Sequence, residues 1–122
     1  MGLPWIRLDT STFDHPKMLD LMDDKQYRAI VVHLAGMAYS GKHGLDGYIP
    51  KAALRVIGGT AADVKRLVAA DLWDEHDGGG WDVHGWKDYQ FSSDEHEARR
   101  QRLSERGRKG ADALWAKRNG TD

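Results

Sequence analysis

The chain contains no cysteine, which excludes a disulfide framework and any thiolate metal site. No apolar run approaches the roughly 20 residues that cross a bilayer, and the N-terminus lacks the basic-then-apolar layout of a secretory signal. A cytoplasmic protein with no membrane partner is the expectation. The six histidines are scattered, none paired at helical ligand spacing, so no metal site is expected. Gly78-Gly79-Gly80 lacks a following Lys-Ser/Thr and opens no helix, so it is not a phosphate-binding loop. No Ser-His-Asp set or carboxylate dyad stands out. The residues therefore point to a protein that is not an enzyme, with no cofactor and no small-molecule substrate.

What is present is an uneven distribution of charge. Residues 1–90 carry 10 Lys/Arg against 13 Asp/Glu, whereas residues 91–122 carry 8 against 6. Within Arg99–Arg118 the balance is 8 against 2. A mildly acidic domain over 1–90, followed by a basic, partly helical arm over 91–122, is the organisation this implies. Such asymmetry suits an arm for a polyanion or an acidic partner.

Periodicity supplies the elements. Trp5-Ile6-Arg7-Leu8-Asp9 alternates as a short strand or extended lead-in. Asp14 is placed to cap a short helix over Lys17–Met22 that buries Met18, Leu19 and Met22, with Pro16 tolerated in its first turn. In the next segment Tyr27, Ile30, Val31, Leu34, Ala35 and Ala38 share one helical face, and Gly41 and Gly44 mark its end. Asp46-Gly47 is a turn signal and Tyr48-Ile49 supplies one or two strand residues. Pro50 opens a helix of about two turns over Lys51–Ile57, which Gly58-Gly59 stops. Thr60-Ala61-Ala62-Asp63 has capping-box spacing and starts a helix through Ala70. Its inner face is read as Ala61, Val64 and Val68, with Leu67 at the margin, leaving Ala62, Asp63, Arg66, Ala69 and Ala70 outward and Lys65 on the flank. Leu72–His76 and Trp81–Trp86 form a hairpin about Asp77–Gly80. Ser92-Ser93-Asp94-Glu95 reads as a further helix start, Asp94–Gly107 is charged almost throughout, and Ala111–Lys117 adds a last helical turn or two around Leu114 and Trp115.

Helix, short helix, Gly-containing turn, helix and hairpin, in that order, are the parts of a winged helix-turn-helix. The expected fold class is therefore mainly α with a small β-hairpin, extended by an N-terminal strand and helix and by the basic helical tail. On this fold the helix from Thr60 would enter the major groove, with Arg66 and Lys65 at base edges or phosphates. Lys51 and Arg55 would touch the flanking backbone. In the tail, Arg99, Arg102, Arg106 and Lys109 form one helical stripe with Arg100 and Arg108 beside it, suited to salt-dependent phosphate contact. The hairpin fits less well. Asp74, Glu75, Asp77 and Asp82 surround its tip with only Lys87 nearby, and His76 and His84 cannot offset four carboxylates. It is expected to turn away from DNA or to meet a protein. The five tryptophans serve the core and hairpin, with Trp115 a stacking candidate in the basic tail.

The stretches Trp5–Asp9, Phe13-Asp14-His15-Pro16-Lys17, Asp46-Gly47-Tyr48-Ile49-Pro50, Leu67-Val68-Ala69-Ala70-Asp71-Leu72-Trp73 and His84-Gly85-Trp86-Lys87-Asp88-Tyr89-Gln90, followed by the Arg-rich tail, carry a resemblance. Together they resemble a group of small actinobacterial and actinophage proteins, similar to the N-terminal winged-helix domains of phage replication-initiation (replisome-organiser) proteins. The resemblance implies a bacterial-cell, phage-type module that binds double-stranded DNA at an origin or control site, in replication initiation or transcription regulation. The alternative left open is a protein-interaction module that forms a homodimer or engages a replisome or host protein.

Overall fold

The computed structural model describes residues 2–90, 94–95 and 97–106. Its first regular element is a 3-10 turn, Thr12–Asp14, followed by helix α1 (Pro16–Asp23). The cap of α1 is His15 rather than Asp14: its Nδ1 accepts the Lys17 backbone N–H at 3.2 Å, with Pro16 in the first turn. Asp14 is taken up by the preceding 3-10 turn. The helix buries Met18 and Leu21, one turn apart, while Leu19 faces outward and Met22 is half-buried.

Helix α2 (Tyr27–Lys42) is the central element. It buries Ala29, Ile30, Val32, His33, Gly36, Ser40 and Gly41. Of the expected face only Ile30 is among them. Tyr27 and Val31 are 57% and 63% exposed, Ala38 is exposed, and Leu34 and Ala35 are half-buried. The cause is the size of the neighbour rather than the polarity of the helix. Trp73 is fully buried, and a Cβ at Gly36 would lie 2.7 Å from its ring and 2.8 Å from Ile49 Cδ1. The small-residue side of α2 lets the bulky groups of the sheet approach. Two buried polar groups on that side are satisfied: Trp73 Nε1 donates to His33 Nδ1 at 3.0 Å, and Ser40 Oγ donates to the Tyr48 carbonyl while accepting from Gly47 N–H.

Strand β1 (Tyr48–Ile49) follows a turn in which both Asp46 and Gly47 have positive φ. Lys51–Ile57 forms not a two-turn helix but a 3-10 turn, Lys51–Leu54, running on through turns to Gly58. Helix α3 (Ala61–Ala69), strand β2 (Trp73–Glu75), strand β3 (Trp81–Val83) and a one-turn helix α4 (Trp86–Tyr89) complete the globular part. The expected return strand to Trp86 stops at Val83 because Gly85 takes a left-handed conformation, φ 72°, and turns the chain into α4.

The described chain is thus mostly helical with a small three-stranded antiparallel sheet, in the order β1-β3-β2. The hairpin gains β1 as a third strand through Tyr48 opposite Asp82 and Ile49 opposite Trp81. Trp5–Asp9 is extended but joins no sheet. A buried side chain, Gln90, pairs with it instead. Arg7 N–H donates to Gln90 Oε1 at 2.7 Å, and Gln90 Nε2 donates to the Arg7 carbonyl at 2.6 Å. A primary amide here reproduces one rung of a β-ladder. Residues 97–106 are helical. The expected helix start at Ser92-Ser93 and the last turn around Leu114 and Trp115 fall outside the described residues. No helix among the described residues is long and apolar enough to cross a membrane.

Candidate nucleic-acid interface

The junction between the 3-10 turn and α3 is built by an ion pair that joins distant parts of the chain. Gly58, φ 74°, reverses direction, and Gly59 lies so close to Leu54 that an added Cβ would be 2.5 Å from its Cδ1. Thr60 and Asp63 then form the full capping box: Thr60 Oγ1 accepts from Asp63 N–H, and Asp63 Oδ2 accepts from Thr60 N–H at 2.9 Å. From α2, Arg28 Nε donates to the same Oδ2 at 3.0 Å and a guanidinium nitrogen donates to the Gly58 carbonyl at 3.2 Å. Asp63 is therefore 1% exposed, not outward. Burial alone would raise its carboxyl pKa. The Arg28 and Thr60 hydrogen bonds and the Arg28 charge outweigh burial and hold it below the usual carboxylate value. The other inward residues of α3 are Val64 and a fully buried Leu67, with Val68 half-buried and Ala61 exposed. Placing Asp63 inward turns the helix so that Leu67, not Ala61, is at its centre.

Lys51, Arg55 and Lys65 line one open groove between the 3-10 turn, the start of α3 and the hairpin. All three are exposed. Ala52, Ala61 and Ala69 contribute small side chains to the groove, and Trp81 and Glu75 close its hairpin side. Arg66, also exposed, does not line it. The structure thus joins Lys65 to the Lys51–Arg55 pair and leaves Arg66 on a separate part of the α3 surface.

The hairpin's carboxylates are sorted between two faces. Asp74 and Asp82 are direct cross-strand partners, and each meets a histidine: His84 Nδ1 is 2.8 Å from Asp74 Oδ2, and His76 Nδ1 is 2.6 Å from Asp82 Oδ2. Strand alternation puts these four residues on the face opposite Trp73, Trp81 and Val83. Of the four acidic residues counted at the hairpin, only Glu75 lines the groove. Both His–Asp pairs are exposed, so they contribute little to stability. Among the described residues no group of three or more His, Asp or Glu could hold a metal ion.

In the arm, Arg99, Arg100, Arg102 and Arg106 are exposed on the helical stretch 97–106, and helical spacing puts Arg99, Arg102 and Arg106 on one side. Arg108 and Lys109 lie outside the described residues. Sequence reasoning missed Arg28 and Gln90, whose partners are 35 and 83 positions away. No local pattern marks either. Comparison of the chain with protein-family models, with curated proteins and with solved structures gives no match.

Proposed function

We propose that the chain is a winged-helix protein of phage or prophage type that binds double-stranded DNA and catalyses no reaction, serving replication initiation or transcription control. In this reading α2 is the first helix, Lys51–Leu54 a shortened second helix, α3 the recognition helix and β2–β3 the wing. The observation that carries it is the convergence of Lys51, Arg55 and Lys65 on one groove beside α3, with the Asp74 and Asp82 carboxylates on the other face of the hairpin. Small side chains along the groove let a phosphate backbone approach closely, and Arg66 and the arginines of the arm extend the contact. Phosphate contacts of this type set affinity and its salt dependence rather than sequence choice.

Fluorescence anisotropy with duplex DNA at two or more salt concentrations tests this. Replacing Lys51, Arg55 and Lys65 together by alanine should weaken binding and flatten the log–log salt dependence by about 0.9 for each phosphate that is no longer neutralised. A triple variant that binds duplex DNA as tightly as the parent, with the same salt slope, overturns the reading.

One observation favours a second reading, a module for self-association or for a replisome or host protein. Tyr27 and Val31, one turn apart on α2, are both more than half exposed. Equilibrium sedimentation with and without duplex separates the two: self-association with no uptake of duplex at low salt favours the second.

A further inference from the structure

A cavity of about 310 Å³ lies between the N-terminal lead-in, α1, the His33–Met37 part of α2 and the Val83–Gln90 segment. That size is at the lower end of the range for small-molecule sites. Its walls are largely apolar, with Met18, Met37, Leu72, Val83 and Trp86 among them. His33 adds a polar ring to this wall and is only 6% exposed. The Trp73 indole can only donate, so the His33 Nδ1 that receives it carries no proton, and the ring hydrogen sits on Nε2. Among the described residues no group accepts from that Nε2–H, and the cavity that the His33 ring lines is where an acceptor can reach it. Trp86, a second wall residue, has a buried Nε1–H that likewise lacks an acceptor. Burial lowers the His33 pKa to about 4, so the ring offers a neutral donor at physiological pH.

We propose that this cavity is a binding site for a small, uncharged, mainly apolar molecule bearing one hydrogen-bond acceptor, a carbonyl or ring nitrogen, received by His33 Nε2–H. The His33 donor is neutral and the charged lining residues are of both signs, Arg7 and Lys17 against Asp9, Asp71 and Asp88, so the lining favours neither a free anion nor a cation. Lys17 Nζ donates to the Asp71 carbonyl at 2.9 Å. The apolar walls supply the remaining contact. This site is independent of the DNA reading and stands or falls without it.

Two probes of similar shape, acetophenone and ethylbenzene, test it by NMR titration of the full-length protein. Acetophenone should shift the His33 ring resonances and the Met18 and Met37 methyls, and should bind roughly threefold to tenfold more tightly than ethylbenzene, the worth of one hydrogen bond. Equal affinity of the two probes overturns the assigned role of His33. Absence of shifts at His33, Met18 and Met37 up to about 10 mM acetophenone, and up to saturation with ethylbenzene, overturns the site.

Discussion

The two sides of α2 contrast sharply. One presents Tyr27, Val31 and Ala38 to solvent; the other buries Ala29, His33, Gly36, Ser40 and Gly41 along with Ile30 and Val32, with Gly36 set against Trp73 and Ile49 of the sheet. By apolarity the first side should be inside. Size reverses the choice, because Trp73 needs a shallow surface to lie on, and Gly36 supplies it where any Cβ would collide. The lesson is that a helix facing a large, fully buried aromatic ring is selected for what it omits.

The strongest way to probe this contrast is through pH, since His33 is the one ionisable residue among those α2 buries. Its pKa is lowered to about 4 in the folded protein, below the unfolded value near 6.5. The unfolded chain therefore binds the extra proton between these values. Stability is full above about pH 6.5 and falls as the pH drops toward 4, by on the order of 3 kcal/mol. Urea unfolding across that window measures it, and His33→Gln, which keeps an acceptor for Trp73 but does not titrate, should flatten the profile. A parent profile that is already flat would show His33 to be solvated.

A smaller effect is expected from filling the shallow surface. Gly36→Val places a branched side chain against Trp73 and Ile49 and should destabilise by about 2 kcal/mol despite replacing a helical glycine. Thermal unfolding reads this directly, and an unchanged or raised Tm would mean that the Trp73 ring can retreat. The least effect belongs to the exposed side. Tyr27→Ser and Val31→Ser should each stay within about 0.5 kcal/mol of the parent in the same assay. A drop well above that in a concentration-dependent melt would indicate that this side is covered by another molecule.

These differences also explain what could be read from the chain in advance. The capping box at Thr60–Asp63, the Asp46-Gly47 turn and the β2–β3 hairpin were legible because their causes lie within a few residues of one another. The Lys51–Arg55 pair was legible too, but Lys65 was read with Arg66 and stands with that pair only in the folded chain, where the tight glycine turn brings the start of α3 beside the 3-10 turn. The buried side of α2 was not, because apolarity ranks Tyr27 and Val31 above Gly36 and Ser40 without knowing what lies opposite. Asp63 looked outward for a similar reason. Its burial depends on Arg28, a partner supplied by a different helix. The 3-10 geometry at Lys51–Leu54 was likewise hidden, since Ala, Leu and Arg there are good α-helix formers and the close packing at Gly59 limits the turn.

The paired hydrogen bonds between Gln90 and the Arg7 backbone have a topological consequence. They bring together two points 83 positions apart in sequence, so the folded stretch between them closes into a ring with the Gln90 side-chain amide at its join. The order in which its elements are strung then matters less to the packing than their adjacency, and the chain leaving at residue 90 sets out from beside the chain arriving at residue 7. Whatever is attached at either point begins at the same place on the molecule.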